Sequence, residues 1–129
     1  MTLDQQEKIK YRIYRSNETF LEAKTLVELG SWNGVINRLY YSLFYAVSAL
    51  LEKENIQVKT HSTQKSRYNE LFILSGKIEK EKGGVYNALY TYRHTSDYHD
   101  FAIITQDEAQ PLVVQAEILL NEIKKLINE

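Results

Sequence analysis

The chain has 129 residues, of which 43% are hydrophobic and 26% charged, and its formal net charge is -1. That length suits one domain burying about two-thirds of its unfolded surface, and the composition excludes a disordered or fibrous chain. A net charge this close to zero excludes a global electrostatic footprint for phosphate backbones, so any nucleic-acid contact must come from a local patch.

The absence of cysteine excludes disulfides and thiolate metal sites and is compatible with a reducing cytoplasm, the expected location. No run reaches the roughly 18 apolar residues that cross a bilayer, and the polar start Met1 to Lys8 lacks a signal-peptide core. Neither membrane insertion nor export is expected. One proline and five glycines suit a helical chain, while ten tyrosines against one tryptophan supply rings with a polar tip, suited to half-buried surfaces and interfaces.

From about Asp4 to Leu29, Ile9, Ile13, Phe20, Ala23, Leu26 and Val27 recur at helical spacing between charged residues, which predicts a long amphipathic helix. Gly30 and Ser31 then supply a stop and a cap, so the next helix should run back antiparallel. That second helix, about Trp32 to Lys53, is apolar on nearly every side and should lie at the centre of a bundle or in an oligomer contact. Asn37 and Arg38 are its exceptions. A buried guanidinium there needs a carboxylate or several carbonyls, so Arg38 is either a structural ion-pair or capping residue or a functional one.

Residues Glu54 to Ser62 read as a loop containing Lys59-Thr60-His61-Ser62, with Ser62 or Thr63 capping a third helix that runs to about Leu74. His61 is a local hydrogen-bonding residue or a site residue. The charged run Lys77 to Lys82 reads as a solvated connector before Gly83-Gly84. A fourth helix is expected from about Val85 to Ser96 or slightly beyond, with Tyr86, Leu89, Tyr90 and Arg93 as its stripe. Thr105 and Glu108 have capping-box spacing and open the final helix, in which Pro111 predicts a kink or a later start. The chain therefore predicts a single all-α domain over residues 1–129, an antiparallel bundle of four to five helices.

Candidate chemistry concentrates at the end of the fourth helix, where Arg93, His94, Asp97, His99 and Asp100 fall within eight residues. Arg93 and Asp97 are four apart and can form an ordinary surface ion pair, and His94 shares a face with Asp97 and Tyr98. Arg93 and His99 stand about 120° apart around a helix, so they converge only if the helix unwinds after Ser96 or a second subunit completes the site. Once together, they suit RNA cleavage without a metal: the imidazole takes the proton of a ribose 2′-OH, and the guanidinium stabilises the attacked phosphate. A metal site built from His94, Asp97, His99 and Asp100 is the competing chemistry, although no zincin-type spacing is present.

Three segments together resemble the HEPN domains: Ile36-Asn37-Arg38-Leu39-Tyr40-Tyr41, Lys59-Thr60-His61-Ser62, and Tyr92-Arg93-His94-Thr95-Ser96-Asp97-Tyr98. The resemblance spans about residues 5 to 128 and is nearest to stand-alone prokaryotic members in which an arginine is followed by Asp-Tyr. It implies a homodimeric helical bundle in which an R-x(4 to 6)-H motif from each subunit faces a shared cleft and acts as a metal-independent endoribonuclease with no cofactor. Many such proteins are toxin partners of minimal nucleotidyltransferases. The motif maps onto Arg93 and His99, with His94 as the polar residue after the arginine. Five residues intervene, where the toxins tend to have four, which would set the histidine at Tyr98. The other class of function is a non-catalytic module that pairs with a minimal nucleotidyltransferase or binds a nucleotide, with Arg38, Lys59 and Arg93 holding phosphate.

Overall fold

The computed structural model describes residues 1–98 and 103–129. Helix α1 spans Leu3–Glu28 and opens with a capping box in which the Thr2 hydroxyl accepts from the Gln5 amide and the Gln5 side chain accepts from the Thr2 amide. It ends at Gly30, whose φ of 68° is left-handed, and there the Ser31 amide reaches back to Leu26 and the Gly30 amide to Val27, both at 3.0 Å. Those two bonds satisfy orphan carbonyls and reverse the chain, as the Gly-Ser pair predicted. Ser31, however, makes no side-chain cap bond to the next helix.

Helix α2 (Trp32–Lys53) is central, packing on α1 above all and then on α5 and α4. Val35, Ile36, Leu39, Leu43, Ala46 and Val47 are fully buried, and each such leucine contributes about 2 kcal/mol of transfer free energy. Its apolar circumference thus reflects a place surrounded by helices. The pairs Glu22–Arg38, Ser16–Ser42 and Arg12–Glu52 show that α1 and α2 run antiparallel. The two serines seal the crossing, each hydroxyl donating to the other's backbone carbonyl at 2.7 and 2.8 Å, so no buried polar group is wasted there.

Helix α3 (His61–Tyr68) begins one residue before the expected cap: Thr60, extended at φ -128° and ψ 157°, accepts from the Thr63 amide at 3.0 Å, in place of Ser62 or Thr63. This makes His61 the first residue of the helix and fixes its backbone. The helix continues as a π-helical turn, Asn69–Ile73, held to α4 by reciprocal Asn69–Asn87 amide bonds of 2.8 Å.

Helix α4 (Lys80–Tyr98) starts five residues earlier than expected and absorbs both the end of the charged run and Gly83-Gly84. Tertiary packing overrides the glycine punctuation: the Tyr68 hydroxyl donates to the Gly83 carbonyl at 2.9 Å, an approach that a Cβ on Gly83 would obstruct. Helix α5 (Gln106–Ile127) opens with the expected Thr105–Glu108 capping box and continues through Pro111, so its start is not delayed. Pro111 and Asp107, whose carbonyl loses a helical donor, are both exposed, and water can serve that carbonyl. Helices α4 and α5 are antiparallel, with Lys82 against Glu122 and Tyr92 against Glu108. Among the described residues there is no strand, and no helix long and apolar enough to cross a membrane.

Candidate functional site

The site is assembled where α2, the start of α3 and the last third of α4 meet. Helix α2 presents Arg38, Tyr41 and Phe44 at successive turns of one face, with Tyr40 turned into the core. Helix α4 delivers Arg93 opposite them. Its Nη2 donates to the Tyr41 hydroxyl at 2.9 Å, and its guanidinium lies 5.3 Å from the Tyr41 ring centre and 5.4 Å from that of Tyr40. Arg38 approaches the same Tyr41 ring at 5.4 Å, so two cations flank one tyrosine. Each contact of this kind contributes about 0.5 to 2 kcal/mol, depending on desolvation.

Arg38 makes the ion pair that the first of its two readings required. Asn37 Oδ1 accepts from its Nε and Nη2 at 3.1 and 2.7 Å, and Glu22 Oε1 lies 3.2 Å from Nη1. Its side chain is 31% exposed, half-buried where deep burial was expected, so Arg38 is anchored while remaining reachable from solvent. Those partners fix the direction in which it meets Tyr41.

His61 belongs to the same cluster. Its Nδ1 is 2.7 Å from the Tyr40 hydroxyl, and its ring stacks on Phe44 at 4.2 Å with 19° between planes. Burial, and then the neighbouring Tyr86, push the Tyr40 hydroxyl well above the usual tyrosine range, while Arg93 acts in the opposite direction. Which of the two atoms donates in the Tyr40–His61 bond depends on the tautomer of the imidazole. Gln64 holds this end of α3 in place by donating to the Phe44 carbonyl at 2.9 Å and to the Tyr86 hydroxyl at 3.3 Å.

Beside His61 opens a cleft of about 200 Å³ between the end of α2 and the loop of residues 56–60. Lys59 is exposed and lines this cleft, so the structure assigns it to a neighbouring space that shares His61 with the guanidinium cluster. Arg12 and Glu52 form an ion pair of 3.2 Å in its wall, with Glu52 only 4% exposed.

Thus Arg38, His61 and Arg93 come together through Tyr40, Tyr41 and Phe44. The backbone of His94, Asp97 and Tyr98 continues α4, while their side chains, the expected Arg93–Asp97 pair, and His99, Asp100 and the alternative metal cluster lie outside the description. By periodicity the aromatic residues of α2 belong to a face for the bundle centre or an oligomer contact, and Arg12 and Glu52 carry no mark of a site. The Arg38, Tyr41, Phe44 spacing of three was the available signal; nothing local marked Arg12 with Glu52, which are 40 residues apart.

Residues 9–126 match the family model described as HEPN domain. The chain is 34% identical over 128 residues to the UPF0332 protein of Thermotoga maritima, covering 98% of this chain and 97% of that protein. Two proteins of Methanocaldococcus jannaschii that carry the name "putative toxin" are each 29% identical to it. The alignments cover 98% of this chain in both cases, and 86% and 93% of those proteins.

Proposed function

The chain belongs to the HEPN domain family, and from that premise we propose that it is a toxin-like, metal-independent endoribonuclease whose Arg93 holds the phosphate under attack. The observation that carries this reading is the fixing of Arg93 by Tyr41 and Tyr40 beside a second cation, Arg38. A planar guanidinium fixed against two rings is the group whose fork geometry matches a phosphate bidentately. The half-buried rings of Tyr41 and Phe44 on the same face of α2 suit unpaired bases, which single-stranded RNA presents and duplexes conceal.

In the proposed reaction His99 takes the proton of a ribose 2′-OH, the 2′-oxygen bonds to phosphorus, and the bond from phosphorus to the 5′-oxygen breaks. The leaving oxygen gains a proton, and Arg93 balances charge on the non-bridging oxygens throughout. His94 and the Asp97-Tyr98 element are proposed to support the motif. Helix α4 is helical through Tyr98, and a helix continued unbroken beyond it would set His99 about 120° around the axis from the Arg93 of its own chain. We therefore propose a homodimer in which one protomer's arginine meets its partner's histidine. Purified protein should cleave single-stranded RNA without added metal, and Arg93→Ala and His99→Ala should each lower cleavage by about 100-fold or more. Cleavage unchanged in both variants removes this reading.

The cleft beside His61 favours one alternative, a non-catalytic module that binds a nucleotide or pairs with a minimal nucleotidyltransferase. Nucleotide binding by calorimetry without RNA degradation by any preparation would select it.

A further inference from the structure

We infer that the cleft shared by His61 and Phe44 is a nucleobase subsite that selects guanine. This rests on the reading of the chain as an RNA-binding protein and adds to it which base is held beside His61. The cleft, about 200 Å³, lies between α1, the end of α2 and the 56–60 loop. Its aromatic wall is the Phe44–His61 pair, stacked at 4.2 Å, and Val58 adds an apolar surface from the loop. Flat rings beside aliphatic groups are what an unpaired base occupies.

Selectivity comes from Arg12 and Glu52. Glu52 is 4% exposed and lines the cleft. Its Oε2 is 3.2 Å from Arg12 Nη1, which also donates to the Ser48 carbonyl at 3.3 Å. Its other oxygen, Oε1, has no hydrogen bond among the described residues. A carboxylate has room for about four donors, and Oε1 is not among the fully buried atoms, so a ligand in the cleft can reach it. The wall therefore offers a donor, Arg12, next to an acceptor with spare capacity.

Guanine is complementary to that pair, because its pairing edge places a carbonyl beside two donors, N1–H and the 2-amino group. Adenine and cytosine each present one amino group next to an acceptor nitrogen that the carboxylate would repel. Uracil presents one N–H between two carbonyls. Only guanine gives Glu52 two donors while leaving a carbonyl for Arg12. Lys59, exposed at the cleft, is the cation placed to meet the phosphate of the same nucleotide.

The test is calorimetric titration of the full chain with 5′-GMP, AMP, CMP and UMP. GMP should bind about tenfold or more tightly than the other three, the discrimination a bidentate base contact supplies. Glu52→Gln should erase the preference, with circular dichroism and thermal melting reporting its fold. Val58→Phe, which fills the cleft and leaves the Arg12–Glu52 pair intact, should weaken GMP binding about tenfold and decides the matter if Glu52→Gln does not fold. Equal binding of all four nucleotides, no binding, or a GMP preference retained in the folded variants overturns the subsite. RNA cleavage without a GMP preference removes the subsite and keeps the nuclease. A GMP preference without cleavage does the reverse.

Discussion

Arg93 on α4 donates to the hydroxyl of Tyr41 on α2 at 2.9 Å, across 52 positions of sequence, and lays its guanidinium against the same ring. The bond fixes Arg93, the residue we propose to hold phosphate, to the central helix α2. On the nuclease reading, Arg93→Ala should lower kcat/KM for RNA cleavage by about 100-fold or more. Arg93→Lys should not restore it, since an ammonium lacks the planar fork. Tyr41→Phe keeps the ring and loses the bond, so a smaller loss of about tenfold is expected. Steady-state cleavage of a single-stranded RNA by the three variants measures the order, and full activity in Arg93→Lys would contradict it.

Subunit mixing tests whether the motif is shared. If Arg93 of one protomer acts with His99 of its partner, denaturing and refolding Arg93→Ala with His99→Ala makes about half heterodimers, each with one intact site. Activity should recover to about a quarter of wild type. No recovery, in a sample that light scattering shows to be dimeric, would place both residues of a site on one chain.

Two adjacent glycines in α4 should respond oppositely to alanine. A Cβ at Gly83 would stand 2.8 Å from the Tyr68 hydroxyl and 2.9 Å from Ile78 Cγ2, whereas at Gly84 it meets nothing within 4 Å. Gly83→Ala should cost about 1 to 3 kcal/mol through overpacking, and Gly84→Ala should gain about 0.5 to 1 kcal/mol from lower unfolded-chain entropy. Urea denaturation of each variant gives the sign directly.

Stability should decline in alkali. Burial raises the hydroxyls of Tyr40, Tyr68 and Tyr86 well above the usual tyrosine range, and all three side chains are 0% exposed. Below about pH 10 both folded and unfolded chains keep these protons, so stability does not depend on them. Above it the unfolded chain releases them and the folded chain does not, which costs about 1.4 kcal/mol per pH unit for each tyrosine. Denaturation midpoints at pH 8 and pH 11 should separate accordingly, and Tyr68→Phe should reduce the separation.

The helices were largely legible in the sequence because each buries a face whose period is its own, and because Thr105 with Glu108 and Gly30 with Ser31 are local signals read within a few residues. Pairing was decided by the fold. Gly83-Gly84 reads locally as an interruption, yet it lies inside α4, because the close approach of Tyr68 needs a residue without a side chain there. The site divides in the same way. Sequence alone singled out Arg93, Arg38 and His61 as polar residues in unusual places and tied Arg93 to His99 as a motif. Only the tertiary structure joined Arg93 to Tyr41, His61 to Tyr40 and Phe44, and Arg12 to Glu52 beside a cleft. Helical periodicity reports which side of one helix faces inward, but which residue it meets there depends on how separate helices cross.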